Sequence, residues 1–302
     1  MLMKNLLIMT LAALIALGLA GCPASVDDDG GGRLPEGIVM TTAISGPFVI
    51  ALEGTDLMVD WGDGSPVVKE TGYSSGDKNH NYDDNTEHTI TITGNVYGLE
   101  CVGMKLKSLD LRAAKDLDYL HCGNNSLTRL DLSRNTALKL IYCNNNSLKR
   151  LNVSKSKALK ELDYSNNKIP SLDLSKNTAL EGLWCDGNSI PSLTVSRNIA
   201  LKVLSCNDNS LKSLNLSKNI ALEKLYCDDN SLSSLDLSKN TRLEFISCDT
   251  NKMTTAAALN NLFRTLPTRS DDDKGLIYIS GNLGAGTCDD SIATVKNWVV
   301  GR

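Results

Sequence analysis

The chain has 302 residues, a formal net charge of −4 and a pI near 5.5. This mild acidity gives no electrostatic basis for binding a polyanion, so nucleic acid is not predicted as a partner. Length alone would indicate two domains. A chain of repeats has no such size limit, however, because each unit packs mainly on its neighbours.

The N-terminus has the pattern of a secretory signal. Lys4 precedes an apolar run from Leu6 to Leu17, which is short for a membrane span and is followed by small residues. Residues 1–21 are therefore predicted to be a signal peptide. The sequence Leu-Ala-Gly-Cys that ends at Cys22 resembles the lipobox of bacterial lipoproteins, which implies cleavage before Cys22 and lipid attachment to its sulfur. The alternative is an ordinary cleaved signal followed by an incidental cysteine.

Residues 22–33 form a short segment rich in aspartate and glycine, including Asp27–Asp29 and Gly30–Gly32. Such a composition predicts a flexible tether. The acidic cluster is also similar to the surface-export signal of lipoproteins in some Gram-negative gut bacteria. That resemblance implies a lipid-anchored protein of the outer membrane that faces the extracellular space.

Residues 34–94 are predicted to form a small β-sandwich. Alternation of apolar and polar residues is clearest over Thr89–Thr93. The sequence Asp-Trp-Gly-Asp-Gly-Ser at 60–65, the His80–Tyr82 segment and this last strand resemble signatures of PKD-like immunoglobulin-type domains. Asp60 and Asp63 are expected to accept hydrogen bonds from turn amides, and calcium binding is the alternative. The predicted strands are Ile38–Thr42, Phe48–Leu52, Leu57–Trp61 and Thr89–Thr93.

From residue 95 to residue 253 the sequence repeats with a period of 21 residues, which is typical of a solenoid. The pattern Leu-x-x-Leu-x-Cys-x-x-Asn-x-Leu resembles the leucine-rich repeat of internalin-type bacterial surface proteins, with cysteine in the place of one core leucine. This resemblance implies a mainly β solenoid with some α-helix. It also implies that a column of asparagines bonds backbone groups after each strand: Asn125, Asn146, Asn167, Asn188, Asn209, Asn230 and Asn251.

Cysteines that recur in a secreted chain first suggest disulfides. Parallel strands stack about 4.8 Å apart, however, and this exceeds the Cβ separation of about 3.8 Å in a disulfide. The column is therefore predicted to hold buried free thiols, and a linear ladder does not supply the tetrahedron of a metal site. Tyr164 interrupts the column and is expected to distort its repeat or turn outward. The column comprises Cys101, Cys122, Cys143, Tyr164, Cys185, Cys206, Cys227 and Cys248.

Function is expected on the solvent side of the strands, where side chains alternate with the core leucines. Aromatic and aliphatic residues flanked by aspartates are typical interface anchors there, and cross-strand packing alone is the alternative. A basic register in the opposite loops, from Arg134 to Lys239, is predicted to be a solvated face, with an anionic glycan as the alternative. The predicted partner-binding residues are Tyr119, His121, Leu140, Tyr142, Trp184, Asp186, Asp208, Tyr226, Asp228 and Phe245.

Residues 254–302 are predicted to form a C-terminal α/β cap on the last repeat. The apolar spacing predicts a helix over 254–266 that stops at Pro267, a strand over Leu276–Ile279 and a closing helix over 292–298. Cys288 lies outside the column and is predicted to be a free thiol in a loop.

Few residues indicate catalysis. The three histidines, His80, His88 and His121, do not fall in a recognisable motif with a nucleophile and a carboxylate, and the sequence contains no Gly-rich phosphate loop. The chain is therefore predicted to be a monomer without a cofactor or enzymatic activity, and the resemblance implies adhesion to a host or bacterial surface protein. The alternatives are a glycan-binding protein, with Trp184, Tyr142 and Tyr226 as stacking platforms, and a structural surface protein without a specific ligand.

Overall fold

Fifteen β-strands are joined in one sheet in the computed structural model, which describes residues 36–302. The predicted signal peptide, the predicted lipidation site at Cys22 and the predicted tether over 22–33 lie outside the described residues. Within the described part, the chain forms one compact unit rather than separate bodies.

Six antiparallel strands form the N-terminal region. The strands predicted at 48–52 and 57–61 are one continuous strand, β2, because the backbone passes through a bulge at Asp56, whose φ is 53°, without losing its partner. As a result β2 bonds to both β4 and β5, so the strands of the predicted sandwich are hydrogen-bonded into one sheet. The strands are β1 (Ile38–Thr42), β2 (Gly46–Asp60), β3 (Val68–Lys69), β4 (Tyr73–Tyr82), β5 (His88–Glu100) and β6 (Ser108–Asp110).

Aromatic rings fill the interior of this region. Tyr82 packs edge-on against Phe48, with ring centroids 5.9 Å apart, and its hydroxyl donates to the carbonyl of Trp61 at 2.7 Å. The turn that follows Trp61 closes on itself: Asp60 accepts from the Gly62 N–H at 2.9 Å, and Asp63 accepts from the Ser65 N–H at 3.0 Å. The Ser65 amide is the main reason that the pKa of Asp63 lies well below its usual range. These contacts match the predicted role of the two carboxylates in the turn.

Strand β5 connects this region to the repeats. Its last residues, Gly98–Glu100, pair in parallel with Tyr119–His121, the first full repeat strand. The domain boundary predicted between residues 94 and 95 therefore falls inside a strand. Because the ladder is unbroken, the same sheet serves both regions.

The repeats form a mainly β, leucine-rich-repeat-type solenoid. Each turn contributes a three-residue strand, and each of these strands except the last pairs in parallel and in register with the strand 21 residues later. The central residues of these strands, such as Leu183 and Leu204, are fully buried. The repeat strands are β7 (Tyr119–His121), β8 (Leu140–Tyr142), β9 (Glu161–Asp163), β10 (Gly182–Trp184), β11 (Val203–Ser205), β12 (Lys224–Tyr226) and β13 (Phe245–Ser247).

The C-terminal segment extends this sheet. Helix α1 (Ala256–Thr265) begins at Thr255, whose side chain accepts from the Ala258 N–H, and it buries Leu259, Leu262 and Phe263. Strands β14 (Gly275–Tyr278) and β15 (Trp298–Gly301) then add to β13 in parallel. The closing helix predicted over 292–298 is wrong. Only one turn, α2 (Ser291–Thr294), is helical, because Trp298–Gly301 pair with β14 instead.

The cysteine column lies in the core. Its seven cysteines are buried free thiols, and several donate to a backbone carbonyl in the next strand, as Cys185 does to Ser205 at 3.3 Å. Burial raises the pKa of the Cys122 thiol to about 12. The column thus behaves as a row of small apolar side chains with weak donors.

Tyr164 stays in this column, so the predicted outward turn of its side chain is wrong. Its side chain is fully buried, and β9 keeps its register with β8 and β10. The hydroxyl has no nitrogen or oxygen partner, and the polar group beside it is the thiol of Cys185, which is a weak acceptor. Burial raises the pKa of this hydroxyl well above its usual range. The buried ring therefore stabilises the fold through its apolar volume, whereas burial of the hydroxyl oxygen destabilises it.

Substitution of Tyr164 separates these two contributions. We expect Tyr164→Phe to raise the free energy of unfolding by about 1 kcal/mol, because it removes a buried oxygen that has no nitrogen or oxygen partner. Tyr164→Cys, which restores the column, should instead lower it by about 2–4 kcal/mol, because it leaves a cavity. Urea unfolding measures both changes. Destabilisation of the Phe variant would show that the hydroxyl has a partner.

Candidate functional site

The candidate site is the solvent side of the repeat sheet, called here the sheet face. It consists of the first and third residues of each repeat strand, together with the corresponding residues of β14 and β15. All ten predicted partner-binding residues lie on this face or in the turn directly after it, because parallel in-register pairing brings equivalent positions into columns. Their exposure and contacts differ from one end to the other.

At the N-terminal end of the sheet face the aromatic side chains pack mainly against each other. Tyr142 lies against Tyr119 and His121, with ring centroids 6.2 and 5.4 Å apart, and its hydroxyl donates to Glu161. His121 also lies 3.5 Å from Glu100. Consequently Tyr142 is only 7% exposed, and the expectation of an exposed side chain is wrong for this residue.

Leu140 is likewise buried, at 9% exposure, between these side chains. It too was expected to be exposed. The sequence pattern placed Leu140 and Tyr142 correctly on the solvent side of the strand. It could not show that neighbouring strands supply enough side chains to cover them.

Trp184 occupies the middle of the sheet face and is partly exposed. A Cβ atom at Gly182, two residues earlier in the same strand, would lie 2.6 Å from the indole ring. The absence of a side chain at Gly182 therefore lets the indole lie over the strand. Any larger residue at 182 would force the ring to move.

The C-terminal end carries a row of partly buried and exposed apolar side chains. Phe245 stacks at a tilt between Tyr226 and Tyr278, with centroids 4.9 and 5.8 Å away. Leu276 and Tyr278 are 39% exposed and Val299 is 49% exposed. Sequence reasoning missed these last three residues. The alternation in Leu276–Ile279 indicated a strand, but nothing in the sequence showed that it joins the repeat sheet.

From Asn144 onward, a column of polar side chains borders the sheet face at the residue after each column position. Asp186 Oδ1 accepts from the Ser205 hydroxyl and from the Asn207 N–H, both at 2.7 Å. Asn207 accepts in turn from the Asp228 N–H at 2.8 Å, and Asp228 accepts from the Asp249 N–H at 2.8 Å. Each side chain thus links one repeat to the next.

The following residue of each repeat adopts a left-handed conformation. Its φ lies near 50–56° at Asn124, Asn145 and Asn166, and at 52° and 51° at Asp208 and Asp229. Asparagine and aspartate both tolerate this conformation. Asp208 is exposed there and contributes a carboxylate to the edge of the sheet face.

Two carboxylates in this border have raised pKa values. Burial raises the pKa of Asp228, and burial followed by the charge of Asp228 raises the pKa of Asp249. One oxygen of Asp249 is buried without a hydrogen-bond partner. Ionisation of each group is therefore less favourable in the folded chain than in the unfolded one.

The pH dependence of stability tests this cost. A carboxyl whose pKa rises on folding lowers stability above that raised pKa, and the penalty disappears as pH falls towards the unfolded value. Asp249→Asn should therefore raise the free energy of unfolding near neutral pH by about 0.5–1 kcal/mol. The gain should vanish below about pH 4, where the unfolded carboxyl is also protonated. Urea unfolding over this range measures it, and a gain that persists at about pH 3 contradicts it.

The described part of the chain contains no cluster of residues suited to bind a metal ion. Among residues 36–302, no group of three or more His, Cys, Asp or Glu side chains is placed to hold a metal ion. None of the described helices is long and apolar enough to cross a membrane. What the sheet face offers is hydrogen-bonding, aromatic and charged groups for recognition.

Leucine-rich-repeat proteins are among the solved structures to which the chain is similar. The functional domain of InlJ from Listeria monocytogenes, which includes a cysteine ladder, is 27% identical, with a TM-score of 0.49 over 66% of this chain and 47% of that chain. YopM from Yersinia pestis, a leucine-rich effector protein, is 25% identical, with a TM-score of 0.46 over 56% of this chain and 44% of that chain. This chain thus spans under half the length of either.

A third similar structure is the internalin InlF from Listeria monocytogenes, which is 17% identical, with a TM-score of 0.37 over 62% of this chain and 81% of that chain. No protein-family model matches the sequence, and a comparison with curated proteins gives no match.

Proposed function

We propose that this chain is a non-enzymatic surface protein that binds a protein partner through the sheet face. The observation that carries the proposal is that different positions of each repeat vary to different degrees. Leucine, cysteine and asparagine recur in the core and at the turns, whereas the sheet-face residues change from repeat to repeat. Constant residues build the solenoid, so the variable ones are free to determine a ligand.

The proposal includes the arrangement of the whole chain. Lipid on Cys22 would anchor it to the outer membrane, with residues 22–33 as a tether. The N-terminal region would be a PKD-like domain that spaces the solenoid from the membrane, and residues 254–302 would cap the last repeat. The partner would be a host or bacterial surface protein, bound by a monomer. The resemblance of the lipobox, the Asp-Trp-Gly-Asp-Gly-Ser turn and the repeats to their families supports this arrangement.

Glycan binding is the second candidate, and the position of Trp184 favours it. An indole that lies over a glycine is available as a stacking platform, with Tyr226 two strands away. The protein partner is preferred because the C-terminal row of Tyr226, Phe245, Leu276 and Tyr278 is apolar and at least partly accessible to solvent. Accessible apolar rows of this kind are typical of protein interfaces.

Parallel protein and glycan arrays probed with the full chain distinguish the candidates. The proposal expects a saturable protein ligand. Binding confined to glycans, or no binding to either array, contradicts it. The anchor is tested separately by palmitate labelling in the native cell type: Cys22→Ser should abolish incorporation, and labelling that persists contradicts lipidation at this residue.

A further inference from the structure

Negative charge on the border of the sheet face changes abruptly halfway along the solenoid. The border consists of the two residues that follow the column position in each repeat. In the first four repeats these pairs are Val102-Gly103, Gly123-Asn124, Asn144-Asn145 and Ser165-Asn166, without a carboxylate. In the next four repeats the pairs are Asp186-Gly187, Asn207-Asp208, Asp228-Asp229 and Asp249-Thr250, which together carry five carboxylates. These five aspartates are called the acidic border.

The scaffold does not require these carboxylates. The left-handed position is occupied by Asn145 in one repeat and by Asp208 in another, with φ values of 53° and 52°. At the preceding position, the amide oxygen of Asn207 accepts the inter-repeat N–H bond at 2.8 Å, as the carboxylate of Asp228 does in the next repeat. An amide therefore performs the same structural work as an acid at both positions.

The carboxylates also carry a cost that the amides would avoid. Asp228 and Asp249 lie close enough for the charge of one to disfavour the charge of the other, and one oxygen of Asp249 is buried and unpaired. Groups that weaken the fold without a structural need are characteristic of binding sites. A cation brought to this border would relieve the repulsion.

The surroundings of the acidic border define what kind of cation suits it. Parallel strands are about 4.8 Å apart, so the aspartates from 186 to 249 extend over roughly 15 Å. No described group of His, Cys, Asp or Glu converges to hold a metal ion. The row Tyr226, Phe245 and Tyr278 runs beside the border on the same sheet. Aromatic faces and apolar edges accommodate the stems and the charges of lysine and arginine.

We propose that the C-terminal half of the sheet face, from Trp184 to Tyr278, binds an extended protein segment rich in lysine and arginine. Its cationic groups pair with the acidic border while its aliphatic stems lie on the aromatic row. The negative charge of the acidic border indicates that the partner segment is positively charged. This inference rests on the proposed protein-binding function.

The test uses three labelled synthetic peptides of one length that share their aromatic and aliphatic residues and carry lysine and arginine, glutamine, or glutamate at the remaining positions. Fluorescence anisotropy with the full chain should show binding of the basic peptide, weakened at high ionic strength, and little binding of the other two. Equal binding of the glutamine peptide overturns the proposal.

Variants locate the binding. Asp208→Asn/Asp229→Asn/Asp249→Asn should weaken binding of the basic peptide at least about tenfold. These substitutions introduce the residue that other repeats carry at equivalent or adjacent border positions, so the fold should persist. The matched control is Asp131→Asn/Asp173→Asn/Asp236→Asn, which removes the same charge from loop turns where Asn152 and Asn215 make the equivalent bond. It should bind within about twofold of the unmodified chain.

Three results overturn the inference: equal weakening by both triple variants, displacement of the basic peptide by calcium alone at a stoichiometric level, or self-association of the chain that the border variant abolishes. If the arrays return a protein partner whose binding the border variant leaves unchanged, the proposed function stands and the basic partner class falls. If the arrays return no protein, the proposed function itself falls.

Discussion

Replacement of Asn188 by alanine is expected to lower the free energy of unfolding by about 3–5 kcal/mol. Its amide donates to the carbonyls of Tyr164, Cys185 and Asp186 at 3.1–3.3 Å, and its oxygen accepts from the Ile169 N–H at 3.0 Å. Asn188 is 3% exposed, so water cannot replace these bonds. Several backbone groups would be left buried and unpaired, and urea unfolding measures the loss.

The matched control is Asn152→Ala. Asn152 is exposed and accepts one bond, from the Ser154 N–H at 3.0 Å, so its loss should cost about 0.5–1 kcal/mol. Equal destabilisation by the two substitutions would show that the buried column does not organise the turns. A large difference would identify the asparagines as structural residues, in agreement with the prediction from the repeat pattern.

Alkylation of the native protein should divide the described cysteines into two classes. The thiolate is the reactive form, and a pKa of about 12 at Cys122 lowers its thiolate fraction about a thousandfold relative to a thiol with an ordinary pKa of 9.0. Burial also blocks the reagent. Cys288 lies partly exposed beside Arg302, so iodoacetamide should modify it at least about a hundredfold faster than the column cysteines.

Site-resolved mass spectrometry of the time course measures these rates. Denatured protein provides the control, because all thiols should then react at similar rates. Modification of Cys122 together with Cys288 in folded protein would contradict the buried column. A disulfide between neighbouring column cysteines would contradict the expectation that strand spacing keeps their sulfur atoms apart.

The repeat architecture is readable from the sequence because a constant period imposes one environment on each position. The buried column at Cys122 follows from the spacing, and the resemblance of the repeats to the leucine-rich repeat implies that Asn188 bonds backbone groups. Features that depend on another strand are not readable in this way. The continuity of β2 past Asp56 and the strand at Trp298–Gly301 arise from pairing across the sheet, which outweighs local turn and helix signals.

The sheet face shows the same limit. The period places Tyr142 and Trp184 on the solvent side, but their exposure is decided by neighbours: Tyr119 and Glu161 cover Tyr142, whereas Gly182 leaves room for the indole. Likewise, Leu276 and Tyr278 become part of the face only because β14 pairs with β13. The repeat sequence thus determines which residues lie on the sheet face, whereas packing against neighbouring strands determines which of them are exposed.

The most direct measurement compares the affinity of an array-identified protein partner for two double variants. Trp184→Ala/Tyr226→Ala removes aromatic anchors from the sheet face. Ile199→Ala/Ile220→Ala removes two apolar side chains that are 59% and 60% exposed in the connecting loops. Binding through the sheet face predicts at least about a tenfold loss for the first variant and less than about twofold for the second. The reverse pattern would contradict it.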